Sequence, residues 1–296
     1  MRLFWRVIIV MSLTLMYITN NPTIALIAEK NGVERIWIDL ETLGKEERQK
    51  NLHSVKSHHT LQDVEAIAKV LKKSECMVRI NPWHKMSYLE IEDVLSAGAK
   101  RIMLPMWKTV EEVDAFLNAV DNRAKTTLLL ETKEAVKCID QVLENELIDE
   151  IHIGLNDLHL SYGLTFMFEL LSNGIVETLC KKFKIKKILY GFGGIAKIGE
   201  GMIPAEKIIM EHYRLGSTRA ILSRSFCNTD EIKEIEKVQE IFETNIQKLR
   251  NFELLLPNIP FKEFLENKLY LVQCVDEIVK GIKEKQDYVF CDKKSN

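Results

Sequence analysis

The chain has 296 residues, of which 46% are hydrophobic and 28% charged, and its formal net charge is −2. This is the composition of an ordinary globular protein, long enough for one large core or two smaller ones, and it carries no basic footprint that would make nucleic acid a partner. The six cysteines (Cys76, Cys138, Cys180, Cys227, Cys274 and Cys291) stand apart with no CxxC pair, which fits reduced thiols in a cytoplasmic protein better than a disulfide framework or a zinc site.

The N-terminal stretch "MRLFWRVIIVMSLTLMYITN" combines basic residues at Arg2 and Arg6 with an apolar run from Val7 to Ile18. That shape suits an export signal or a short membrane anchor. The run is, however, well short of the about 20 residues a bilayer requires, and no small-x-small cleavage site follows. Residues 12–18 read equally as a buried first strand, with Met11 as an alternative start. No membrane partner is expected.

Further apolar runs lie at 34–39, 75–80, 100–104, 126–130, 149–153, 186–190 and 218–223. Amphipathic stretches separate them, among them 60–73, 88–98, 109–120, 132–144, 166–182 and 203–214. Continuous apolar runs suit strands covered on both faces, hence a parallel sheet. Eight βα units in about 250 residues predict a (β/α)8 TIM barrel. An open doubly wound sheet is disfavoured, because no GxGxxG follows the first strand. Residues 229–250 supply the last barrel helix, "LLPNIPF" breaks it, and 259–285 read as extra C-terminal helices. The expected division is a barrel domain over 12–250 and a helical extension over 251–296.

Barrel enzymes carry their chemistry at the C-terminal ends of the strands, and polar residues gather there. They are Asp39 and Glu41 after the second strand, Arg79 and Asn81 after the third with His84 in the loop, and Glu131 after the fifth. Asp157 follows the sixth, the "GFGG" loop with Gly193 and Gly194 the seventh, and Arg224 the eighth. At the opposite ends, Glu34-Arg35, Lys100-Arg101, Asp149-Glu150 and Lys186-Lys187 read as solvated strand starts. Glu131 and Asp157 lie one βα unit apart, so on neighbouring strands about 5 Å apart they can share one cation. An oxygen-only pair points to Mg2+ or Mn2+. Helix capping by Asp157 and dipole stabilisation by Glu131 are the competing reading. Arg79, inside an apolar strand, needs an anion, supplied by a structural ion pair or by a ligand in the barrel mouth. The glycine loop and Arg224 suit either phosphate binding or a tight turn. His53, His58 and His59 read as solvent-facing and His152 as a satisfied core residue.

Together, "GVERIWIDLE", "VRINP", "AGAKRIMLPM", "LLLETKEAV", "IGLNDLHLSYG" and "RLGSTRAILSRSF" resemble, in order over residues 12–226, the HpcH/HpaI aldolase and citrate lyase β-subunit family of pyruvate/phosphoenolpyruvate-binding barrels. The resemblance implies a carbon–carbon lyase or aldolase acting on a 2-oxo acid, in sugar or polysaccharide metabolism. It implies a divalent cation on Glu131 and Asp157 that supports a metal-bound enolate, with Arg79 stabilising the oxyanion. Backbone N–H groups near Asn156 and Asp157 hold the substrate carboxylate in this picture, and Asp39 and Glu41 order water on the metal or the first loop. The family also implies a homo-oligomer that exchanges C-terminal helices. Two positions depart from its pattern. Thr42 stands where a proton-transferring His often follows the strand-two Glu, and Leu129 where a Gln often precedes the metal Glu. His84, His58 or His59 are the substitutes available to move a proton. A phosphoenolpyruvate- or acyl-CoA-using enzyme of the same fold, or a barrel that only binds, are the alternatives.

Overall fold

A computed structural model of the chain describes residues 12–44 and 59–292. The questions of an N-terminal signal and of Met11, and the histidines at 53 and 58, lie outside these residues. Eight strands run in parallel: β1 (Thr14–Ile18), β2 (Arg35–Asp39), β3 (Glu75–Arg79), β4 (Arg101–Leu104), β5 (Lys125–Leu130), β6 (Glu150–Ile153), β7 (Leu189–Ile195) and β8 (Arg219–Leu222). Each pairs with the next and β8 pairs with β1, which closes the barrel predicted from the sequence.

Helices cover its outside: α1 (Pro22–Lys30), α2 (Leu61–Val70), α3 (Ser87–Ser96), α4 (Val110–Val120), α5 (Lys133–Val142), α6 (Leu155–Ser161), α7 (Glu169–Ser172), α8 (Ile175–Ile185) and α9 (Ala205–Leu215). Their starts follow local chemistry. Thr60 and Thr109 each form a capping box with the acid three residues on, and Asn21 and Thr132 accept backbone N–H groups at the heads of α1 and α5. The single helix predicted over 166–182 is instead two pieces, α7 and α8, with Gly174 in the left-handed region (φ 84°) between them.

The chain closes with α10 (Ile235–Leu255), a short 3-10 turn (Leu256–Asn258) containing Pro257, and α11 (Phe261–Asp292). Buried Glu253 on α10 accepts from the Leu13 N–H at 2.7 Å and the Tyr213 hydroxyl at 2.9 Å, tying the start of β1 to the C-terminal helices. Beyond the turn, α11 packs on α9 and α7.

Two expectations about the strands are corrected. The seventh strand is not 186–190. Lys186 and Lys187 end α8 in a turn, and β7 starts at Leu189 and runs through the glycines to Ile195. Gly193 and Gly194 are therefore strand residues, not a loop. Their pairing with β8 shifts register between Gly191 and Gly194, and a Cβ on Gly191 would collide with the Arg219 carbonyl, so the close approach of the two strands requires glycine.

The strand starts are not uniformly solvated either. Glu34, Lys100, Lys186 and Lys187 are exposed, but Arg35, Arg101, Glu150 and Arg219 are buried within the barrel. Glu150 accepts from Arg35 at 2.6 and 2.9 Å and from Arg219 at 2.7 Å, while Glu75 accepts from Arg35 at 2.9 Å and Arg101 at 2.8 Å. Three arginines around two carboxylates fill the base of the barrel with mutually paired charge. Above this layer sits a small apolar cluster of Met16, Trp37, Met77, Met103 and Leu129, separate from the large core between strands and helices. The upper end is left for the functional groups.

Candidate active site

Glu131 follows β5 directly and is buried. Helix α5 does not need it as a cap, because the Thr132 hydroxyl already accepts the Ala135 N–H at 3.1 Å. One oxygen, Oε1, accepts the Met106 N–H at 3.0 Å. Beside the other, Oε2, lies Gly154, where a Cβ would sit 2.9 Å from that oxygen. The glycine thus lets the backbone pack directly on a buried carboxylate that also lines the cavity. Gly154 is also the N-cap of α6, which places Asn156 and Asp157 in that helix's first turn, so Asp157 is not the capping residue itself.

Glu131, Asn156, Asp157 and Arg79 line one cavity of about 460 Å3 at the C-terminal ends of the strands, together with Gly193 and Gly194. Burial raises the Glu131 carboxyl well above the ordinary carboxylate range. Asp157 and Glu41 add to that rise, and Arg79 and the Met106 N–H oppose it.

Arg79 is held by its neighbours on β2. Its guanidinium forks onto Asp39 through two hydrogen bonds of 2.8 Å, lies 3.3 Å from Glu41, and stacks over Trp37 at 5.1 Å. Burial alone would favour the neutral form, yet Asp39 and Glu41 outweigh it and fix the positive charge. Of the two readings of Arg79, the structure shows the ion pair. Asp39 and Glu41 serve as its carboxylate partners and orient it.

The donor set fits a divalent cation. Asp39 and Glu41 pair with Arg79, and Glu131 also acts on its charge, while Asp157 lines the same cavity as Glu131. A cation bound between Glu131 and Asp157 would favour their charged forms against burial. Among the described residues no group of three or more His, Cys, Asp or Glu is arranged to hold a metal; Glu131 and Asp157 are the two carboxylates on the cavity lining that could contribute oxygen ligands.

The other predicted residues are placed elsewhere. Asn81 accepts from the Thr42 and Leu43 N–H groups at 2.9 and 3.0 Å and donates to Glu90, which ties the β2 and β3 loops together. The His84 ring is engaged in its own turn, 2.8 Å from the Ser87 hydroxyl and 3.1 Å from the Pro82 carbonyl. Arg224 is exposed and lines a separate cavity of about 320 Å3 with His59, Asn20 and Asp230. It does not join Gly193 and Gly194 in the main cavity. His59 is half-buried rather than solvent-facing, and its Nδ1 accepts the Asp39 N–H at 3.0 Å. His152 is buried on the cavity lining. The Gly193 backbone approaches it, but neither ring nitrogen has a partner in hydrogen-bond geometry among the described residues.

The apolar lining was not visible in the sequence. Leu155, Phe166, Met167, Phe168, Ile203 and Ile208 come from three separate stretches, each of which reads as ordinary core.

A model of the HpcH/HpaI aldolase/citrate lyase family matches residues 13–169. The chain belongs to this family. A comparison with curated protein sequences found no match. Among solved structures, this HpcH/HpaI chain is similar to the HpcH/HpaI aldolase from Desulfitobacterium hafniense DCB-2, with 15% identity, a TM-score of 0.58, and coverage of 77% of this chain and 93% of the other. The citrate synthase SbnG gives 17% identity, a TM-score of 0.56 and coverage of 78% and 94%. Macrophomate synthase gives 16% identity, a TM-score of 0.50 and coverage of 72% and 78%. At these identities the structures establish the shared barrel, and the family match supports a lyase of this fold.

Proposed function

We propose that this HpcH/HpaI family member is a divalent-metal-dependent carbon–carbon lyase or aldolase that works through the enolate of a 2-oxo acid. One observation carries the reading: Glu131, a buried carboxylate, shares a cavity with Asp157 and with Arg79. Glu131 and Asp157 would hold Mg2+ or Mn2+, which when bound acts as a Lewis acid toward the 2-oxo acid oxygens. Arg79 supplies a fixed positive charge toward the oxygen on which negative charge develops. Its fork onto Asp39 means that little reorganisation is needed as the charge appears. Backbone N–H groups near Asn156 and Asp157, in the first turn of α6, would hold the substrate carboxylate. Apolar walls around these groups keep bulk water from the reacting carbon and strengthen each electrostatic contact.

Proton transfer is assigned to water in this reading. The Thr42 hydroxyl is 3.3 Å from Asn81 Oδ1, to which it donates, and His84 is engaged in its own turn, so neither lines the cavity. The phosphate- and acyl-CoA-using alternatives gain no support, because Arg79 is the only lysine or arginine among the described residues lining this cavity.

The test is exchange of pyruvate methyl protons in D2O, followed by NMR with Mg2+ or Mn2+ present. Metal-dependent exchange that disappears in Glu131→Ala and in Asp157→Ala is expected. Absence of exchange together with absence of a Mn2+-dependent thermal shift would overturn the assignment and favour a barrel that only binds.

A further inference from the structure

Beyond the carboxylates, the cavity opens into a chamber whose walls are almost wholly hydrocarbon. Leu155 from the first turn of α6, Phe166 and Phe168 from the segment before α7, and Ile203 and Ile208 from the approach to α9 and its first turn all line it, and each is buried in the fold. The shape is built in at Gly193, which sits in the left-handed region (φ 53°) and where a Cβ would come within 2.6 Å of Leu155 Cδ1. Arg79 is the only lysine or arginine among the described residues on the lining, and it is already paired with Asp39 and Glu41. A charged group placed among these side chains would be desolvated with no counter-ion to meet it. An apolar group there would release water from a surface that cannot hydrogen-bond it.

Uncharged polar groups interrupt the hydrocarbon, among them Asn156, Ser223, Ser225, Trp37 and His152. Trp37 Nε1 and the ring nitrogens of His152 are buried without a partner in hydrogen-bond geometry among the described residues, although the Gly193 backbone approaches His152. Burial also pushes the His152 ring down to about 4, so it is neutral near pH 7. These groups can meet a neutral polar atom of a ligand but cannot balance a carboxylate or phosphate.

We propose that the carbonyl compound joined to or released from the enolate is uncharged and carries an apolar body, seated in the Leu155–Phe166–Phe168–Ile203–Ile208 chamber, and that this chamber sets substrate choice. The inference rests on the enolate reading and names its second substrate class. In the condensing direction the nucleophilic carbon of the enolate attacks the aldehyde carbon and a C–C bond forms. The carbonyl π electrons become an alkoxide, which takes a proton from water. Cleavage reverses each step: the hydroxyl loses its proton, the C–C bond breaks, and its electron pair returns to the enolate.

The experiment compares pyruvate condensation with propanal, hexanal and succinic semialdehyde in the metal-loaded protein, alongside contact with hexanol by saturation-transfer NMR in the metal-free protein. The expected kcat/KM rises about fourfold for each added methylene, and succinic semialdehyde is used less well than propanal. Hexanol receives saturation, and Ile208→Asp removes both that signal and the chain-length preference. Met202→Glu, at an exposed rim position of the same cavity, weakens both without burdening the core, so a folding failure of the first variant does not decide the matter. Preference for succinic semialdehyde, or no hexanol contact, overturns the chamber. Loss of pyruvate methyl exchange overturns the enolate reading instead, and hexanol contact tells the two failures apart.

Discussion

The placement of Glu131 depends on one neighbouring residue. Gly154 has no side chain, and a methyl there would meet Glu131 Cβ and Oε2 at 2.9 Å. Gly154→Ala is therefore expected to abolish Mn2+-dependent thermal stabilisation and pyruvate methyl exchange. Its cost in folding free energy should be the about 1–3 kcal/mol typical of overpacking, read from urea melts of the metal-free protein. The site's acids were visible in the sequence because a carboxylate at the end of an apolar strand contradicts the pattern around it. Histidines show the limit of that signal. A histidine in a polar loop says nothing about whether that loop folds back onto Asp39, and one within a strand says nothing about whether its ring finds a partner.

Elements explain both what the sequence predicted and what it concealed. Continuous apolar runs marked the strands, but β7 carries "GFGG", and glycine contributes no hydrophobic signal even where close packing demands it. Charged residues at the strand starts look the same in sequence whether they face water or each other. In the structure Arg35, Arg101, Glu150 and Arg219 face inward. The arginines around Glu150 outweigh its desolvation and hold its carboxyl near 2, below the ordinary 4.5. A carboxyl lowered on folding stabilises fully above its unfolded value and loses that contribution as pH falls toward the folded one. Acid titration followed by circular dichroism should therefore show stability declining from about pH 4.5 to about pH 2. Glu150→Gln, which leaves Arg35 and Arg219 without their shared anion, should cost about 3–5 kcal/mol at neutral pH and flatten that decline.

At the scale of the molecule, α11 presents Phe261, Leu265 and Leu269 at successive turns, and Leu254 and Leu255 lie just before it. All five are exposed. Among the described residues no helix is long and apolar enough to cross a membrane. We propose a homo-oligomer that covers this strip. Light scattering on the purified protein should report more than one chain per particle, and Leu265→Glu with Leu269→Glu should shift it toward the monomer without lowering the melting temperature of the barrel. The apolar chamber also belongs to this scale. Its residues come from 155–208 and meet only when three loops are folded over one end of the barrel, so no local window of sequence contains it.

The paired charges at the base have a kinetic meaning. With Glu150 and its arginines closing one end, the barrel has a floor, and the cavity lies at the opposite end. In the proposed reaction both compounds would share the approach from that end, so that one of them in place narrows the way for the other.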